Sequence, residues 1–302
     1  MVARHMREPA PPTADLAPGD RRSEGYDWSG ATIHHIRSMS HPWFERAYEC
    51  LWAEFGGRAE MEQHDVIEAR LAWDPRRPIA GHALLYEVVA IERDGALAAV
   101  RDHTAILRTS PSDTRGGISR SRPDAVIHLS HAWVEPSHRR SGLAGWLRAL
   151  PLSAARDCAA LAGAPVPRAI DLVAEMDPPD PGDPSRTQRL VAYERAGFRK
   201  VDPETVRYLQ PDFRPPATID ATGVEPLPLV LIVRRVGADA EDDLPGDEVR
   251  AIVSALYLMY GQKFRESDMR TIWERFESLP SGDARVRLVP PTTSAADAGE
   301  GS

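Results

Sequence analysis

The stretch Val126-Ile-His-Leu-Ser-His-Ala-Trp-Val-Glu-Pro-Ser-His-Arg-Arg-Ser-Gly-Leu-Ala-Gly-Trp-Leu147 holds the residue types best suited to chemistry. It runs from an apolar strand directly into the amino end of a helix. The first amides of a helix lack internal acceptors and carry the positive end of its dipole, so they hold an anion wherever small residues let one approach. Gly142, Ala144 and Gly145 supply that space, and Arg139 and Arg140 add fixed charge, a set that suits a diphosphate better than a single carboxylate. The alternative is a plain strand-to-helix turn whose glycines ease backbone strain and whose arginines are solvated. The closing Gly-Lys-Ser/Thr of a triphosphate loop is missing, as are the spaced glycines of a dinucleotide site, which disfavours nucleotide hydrolysis.

Other polar groups are weighed against their strands. Ser130 shares a face with His128 by strand alternation and could join it in a water relay. His128 and His131, three apart, fall on opposite faces of a strand, and the adjacent His34 and His35 meet the same objection, so no metal site is expected. Glu175 ends a neighbouring strand; an exposed acid is its first reading and contact with an amine its second. Cys50 and Cys158 are too few for a disulfide framework and read as buried thiols.

These groups need elements to position them. A helix is expected where Phe44, Ala47, Tyr48, Leu51, Trp52 and Phe55 recur at three- and four-residue intervals, stopped by Gly56-Gly57. Strands over 81–91 and 96–107 are joined at Asp94-Gly95, a hairpin signal. The loop 109–124, with Arg115, Arg120 and Arg122, has no apolar pattern; it reads as solvated, with attraction for an acidic acceptor as the alternative. A strand over 125–134 leads to a helix carrying Leu143, Leu147, Leu150, Ala154, Cys158 and Leu161 on one face, kinked at Pro151. A strand over 168–175 follows, then a helix over 185–196 capped by Gly197, then strands over 198–209 and 227–236. Val249, Ile252, Val253, Leu256 and Tyr257 mark one further helix and Met269, Ile272, Trp273 and Phe276 another. Tyr257, Tyr260 and Trp273 read as core packing, ahead of an acceptor pocket or a homodimer contact.

Composition bounds the function classes. With 37 Lys and Arg against 45 Asp and Glu, the formal charge is −8, which argues against nucleic acid held by charge alone. The longest strongly apolar stretch, 227–233, is interrupted by Pro228 and far short of the roughly 20 residues that span a bilayer. The first twenty residues lack the apolar core of a secretory signal, so the cytoplasm is the expected compartment and no membrane partner is expected. Residues 1–28 and 284–302 are expected to be disordered tails around a main domain over 29–238 and a helical appendix over 239–283.

Val134-Glu135-Pro136 followed by Arg139-Arg140-Ser141-Gly142-Leu143-Ala144 resembles the acyl-CoA pyrophosphate loop of the GNAT acyltransferase superfamily, Gln/Arg-x-x-Gly-x-Gly/Ala after a strand. Tyr193-Glu-Arg-Ala-Gly197-Phe198 is similar to that family's second signature, and the resemblance covers roughly residues 30 to 237. It implies an α/β fold of the α+β kind, with a mixed central sheet, flanked by helices, that splays between the 125–134 and 168–175 strands. It implies acetyl-CoA, or another acyl-CoA, lying in that opening. The pantetheine would pair with the backbone at Trp133 and Val134, and the amides of Arg139, Arg140, Ser141, Gly142, Leu143, Ala144 and Gly145 would hold the pyrophosphate. Tyr193 matches the family's general acid beside the CoA sulfur, with packing against Leu190 and Ala196 as its other reading. His128 matches a position where family members carry a base, with a histidine satisfied inside the sheet as its other reading.

The resemblance therefore implies an acyl-CoA-dependent N-acyltransferase; it does not supply the acceptor, for which the leading reading is a primary amine of a small molecule acylated by direct attack. Acetylation of a protein lysine or N-terminus, and a non-catalytic acyl-CoA-binding regulatory protein, are the alternatives.

Overall fold

The computed structural model describes residues 10–58, 60–109, 123–180 and 182–293. The first elements are β1 (Ala31–Ile36), α1 (Phe44–Phe55), α2 (His64–Leu71), β2 (His82–Arg93), β3 (Ala96–Arg108), β4 (Ala125–Val134), α3 (Leu143–Ala149), α4 (Pro151–Ala162), β5 (Ile170–Met176) and α5 (Pro184–Arg195). There follow β6 (Arg199–Val201), β7 (Leu209–Gln210), α6 (Pro216–Thr222), β8 (Leu227–Pro228), β9 (Val230–Arg235), β10 (Asp243–Pro245), α7 (Gly246–Tyr260), α8 (Glu266–Glu277) and β11 (Arg285–Val289).

Asp94 and Gly95 both take positive φ, 52° and 85°, which matches the right-handed twist of the β2–β3 hairpin they close. Nine strands form one sheet in the order β1-β2-β3-β4-β5-β9-β6-β11-β10. All neighbours are antiparallel except β4 and β5. That parallel pair ends at His128 and Val173, although β4 continues to Val134 and β5 to Met176. The sheet is therefore mixed and splayed, as the resemblance implies, and the edge of β4 beyond His128 faces an opening instead of a neighbour.

Helices cover both faces. α4 packs on one through Leu152, Ala155 and Cys158 against Leu85, Ile127 and Leu172, with α3 beside it. α1 and α2 cover part of the other face, and α7 with α8 covers the rest through Val249, Ile252, Leu256 and Ile272. The kink falls at Pro151, which lacks the amide that would bond Leu147, and separates α3 from α4. Gly197, at φ 82°, ends the α5 region. Among the described residues no helix is long and apolar enough to cross a membrane.

Several expectations need correction. The segment 10–28 is no tail: two short 3-10 turns, Thr13–Asp15 and Pro18–Gly25, strap it across α3. Asp20 forms a bidentate pair with Arg148 at 2.6 and 2.9 Å, Trp146 donates to the Ser23 carbonyl at 2.8 Å, and the rings of Tyr26, Trp28 and Trp146 stack edge to face. The strand expected over 198–209 breaks into β6 and β7, because Pro203 cannot donate to a ladder and the Asp202 carboxylate caps a turn through the Glu204 amide. The strand expected over 227–236 is divided at Leu229, β8 pairing with β7 and β9 with the main sheet. The 239–283 segment is not purely helical, and 284–293 is ordered: β10 and β11 extend the sheet through β6, so no boundary falls at 238. Cys158 is buried as expected, and burial pushes its thiol up to about 12, but Cys50 is only half-buried. Most of the arginine-bearing loop, 110–122, lies outside the described residues.

Candidate active site

The ladder between β3 and β4 slips by one residue. Arg101 pairs with Ala132 and His103 with Leu129, so Asp102 alone faces both Ser130 and His131, a β-bulge in β4. The extra residue breaks the alternation that assigned His128 and His131 to opposite faces. Both instead lie on the α1–α7 side, the His128 ring 5.9 Å from that of Tyr260 and the His131 ring 4.9 Å from that of Phe55. Among the described residues no set of three His, Cys, Asp or Glu side chains is arranged to hold a metal.

Glu175 is a buried hub and not an exposed strand end. It receives His128 Nε2 at 2.8 Å and Gln210 Nε2 at 3.0 Å, and the hydroxyls of Tyr208 and Tyr260 also donate to it. Burial opposes its charge, yet the donors from His128 and the two tyrosines outweigh that and hold the carboxyl below its ordinary value. Because a carboxylate only accepts, His128 carries its hydrogen on Nε2. Nδ1 is then left to accept from the Ser130 hydroxyl at 3.1 Å. Ser130 and His128 share a face and bond directly instead of through a water, and Glu175 orients the imidazole. Three of these donors reach Oε2 and one reaches Oε1, and Glu175 also lines the cleft.

His131 has a different role. Its Nδ1 meets Asp102 at 3.0 Å and its Nε2 meets the Glu60 carbonyl at 2.8 Å, and its own amide donates to Asp102. Burial disfavours the charged ring, but the Asp102 carboxylate overcomes this and raises it to about 9. The imidazolium thus pins the bulge to the loop between α1 and α2.

On the opposite face Tyr193 stands in the last turn of α5. Arg101, 2% exposed on β3, donates to its hydroxyl at 2.8 Å, and the Arg148 guanidinium lies 5.6 Å over its ring. Arginine only donates, so the phenol oxygen accepts and its own hydrogen is free to turn toward the opening. Both ends of the described chain reach this helix: Gly19 lies against the Arg195 carbonyl, and Thr292 donates to Glu194 at 2.6 Å.

The turn after β4 is accessible, with Arg139, Arg140, Ser141 and Ala144 exposed and Leu143 and Gly145 buried. Gly142 takes φ 102° and Arg140 φ 66°. The space at Gly145 serves the strap, since a methyl there would strike the Ser23 hydroxyl and crowd Asp20, and Gly142 lies against the Ser23 backbone. Only part of the smallness of this turn is therefore left for an anion. The Gly145 amide already bonds the Gly142 carbonyl, which leaves the Leu143 and Ala144 amides as the helix-start donors. Trp133 packs half-buried in the α1 cluster, whereas Val134 lines the opening.

The opening is a cleft of roughly 280 Å³ that reaches both faces. His128, Ser130, His131, Glu175 and Tyr193 line it with Val134, Ala144 and Arg148, while Arg139, Arg140 and Ser141 do not. Sequence reasoning missed Arg101, Tyr208, Gln210 and Glu62, which lines the cleft and pairs with the buried Arg70. One signal was there to find: Arg101-Asp102-His103-Thr104 is a polar run inside an otherwise apolar strand.

No protein-family model matches the chain, and no curated protein matches it. Solved structures do show similarity. An acetyl-CoA-bound GNAT family acetyltransferase from Elizabethkingia anophelis is 14% identical over 68% of this chain and 98% of its own, with a TM-score of 0.33. Arabidopsis thaliana NAA60 in complex with acetyl-CoA is 14% identical over 69% of this chain and 99% of its own, with a TM-score of 0.38. A GNAT family acetyltransferase from Streptococcus pneumoniae is 14% identical over 68% and 99%, with a TM-score of 0.29.

Proposed function

We propose that this chain is a GNAT-type N-acyltransferase that moves an acyl group, acetyl foremost, from acyl-CoA to the primary amine of a small molecule. The observation that carries the reading is the open edge of β4, which leads to the Arg139–Gly145 turn and has Tyr193 on one side and His128 on the other. An extended pantetheine can add to such an edge as a strand would, and the exposed Arg139 and Arg140 with the Leu143 and Ala144 amides suit the diphosphate.

The residues divide the proton work. His128, fixed by Glu175, takes a proton from the ammonium through Ser130, which frees the nitrogen lone pair for direct attack. As the N–C bond forms and the C–S bond breaks, Tyr193 gives its hydrogen to the departing sulfur; the Arg101 cation steadies the phenolate that remains, and the hydrogen that the acylated nitrogen sheds to become a neutral amide restores the phenol. Phe55, Phe213 and Tyr260 narrow the acceptor side, which favours a small amine over a protein lysine.

Calorimetry with acetyl-CoA and longer thioesters, followed by thiol release with pooled amines, tests cosubstrate and acceptor in turn. Tyr193→Phe is expected to keep acetyl-CoA binding and lose about a hundredfold in kcat. Unchanged thiol release in that variant would remove Tyr193 from the mechanism. Binding without turnover on any amine would favour a regulatory protein.

A further inference from the structure

The cleft contains a carboxylate that this reading does not use. Glu62 is 4% exposed, and its Oε1 pairs with Arg70, whose guanidinium is itself buried over the rings of Trp73, Tyr86 and Tyr260. Among the described residues Glu62 Oε2 has no hydrogen-bond partner, yet the residue lines the cleft. A buried carboxylate oxygen without a donor is costly, and such groups recur where a ligand supplies the missing partner.

Its surroundings narrow what that ligand is. Phe55, Phe213, Leu229 and Tyr260 supply apolar walls that fit a ring-sized body. Arg70 lies behind Glu62, paired with its Oε1 and outside the cleft lining, and His131 is held between Asp102 and the Glu60 carbonyl. The Glu175 carboxylate lies on the same side. Arg101 and Arg148 stand with Tyr193 on the other face. An acceptor's own carboxylate on the Glu62 side would thus lie beside Glu62 and Glu175, with the lining arginines Arg101, Arg148 and Arg189 placed around Tyr193 instead, which is discrimination by repulsion.

We infer that the acceptor is a primary amine with a compact, ring-bearing apolar body and no carboxylate, and that Glu62 Oε2 receives its ammonium before transfer. This rests on the acyltransferase reading for the reaction but not for the binding. Glu62 and Ser130 both line this cavity.

Three matched probes test it with acetyl-CoA in a thiol-release assay: 2-phenylethylamine, phenylalanine and phenylalanine methyl ester. The amine and the ester are expected to be acetylated with kcat/KM at least tenfold above the free amino acid. Glu62→Gln, which keeps an oxygen for Arg70, is expected to raise KM for the amine at least tenfold with a smaller change in kcat and an unaltered Kd for acetyl-CoA. Equal use of phenylalanine and the amine, or an unmoved KM in the variant, overturns the inference. The wild-type comparison stands even if Glu62→Gln misfolds. Calorimetric titration of 2-phenylethylamine into the protein without acetyl-CoA separates the two levels: amine binding without thiol release keeps the acceptor class and overturns the acyltransferase, whereas thiol release from phenylalanine alone does the reverse.

Discussion

At the scale of single residues, the Arg101–Tyr193 bond decides where one hydrogen points. Nε and Nη1 of Arg101 have no partner among the described residues, so this buried guanidinium is committed to the hydroxyl through one nitrogen and open on its others. Arg101→Met removes the donor and lets the phenol hydrogen turn away from the cleft. A loss of about tenfold in kcat is expected, and little further loss when the change is made in Tyr193→Phe, because the two act as a unit. Fully additive losses would show that Arg101 acts elsewhere. Glu175 shows why residue-scale roles were only partly legible. Glutamate is ordinarily exposed, and the donors that bury it come from Tyr208, Gln210 and Tyr260, up to 85 positions away, where no local pattern links them.

Among the elements, those set by neighbouring residues were legible in the sequence: the Asp94-Gly95 hairpin, the break at Pro151 and the cap at Gly197 all follow from local backbone preference. The β4 bulge was not, since a slip in register belongs to two strands and Asp102 sits 29 positions from its partner His131. The strap over α3 was hidden for a related reason: its sequence is polar and aperiodic, and its order comes from individual pairs such as Asp20 with Arg148. That packing gives a direct expectation. Gly145→Ala forces a methyl into Ser23 and should destabilise the protein by about 1–3 kcal/mol in chemical denaturation. Gly25→Ala, in the same strap with open space around it, should stay within about 0.5 kcal/mol. Equal effects would mean that the strap does not bear on α3 in solution.

For the molecule as a whole, the His131–Asp102 pair links stability to pH. The folded pKa of His131, about 9, lies above the ordinary histidine value of 6.5, so its contribution is fully present below pH 6.5 and is lost as pH rises through 9. Over that window unfolding free energy should fall by up to about 1.4 kcal/mol per pH unit. His131→Gln should flatten the slope, and an unchanged slope would assign the dependence to another group. A second whole-molecule property follows from Gly19 and Thr292, near the two ends of the described residues, meeting on α5 at Arg195 and Glu194. A protease trimming into the described chain from either side reaches the seat of the Tyr193 phenol before it reaches the sheet, so ageing preparations would lose turnover and melt slightly lower while the sheet is still uncut.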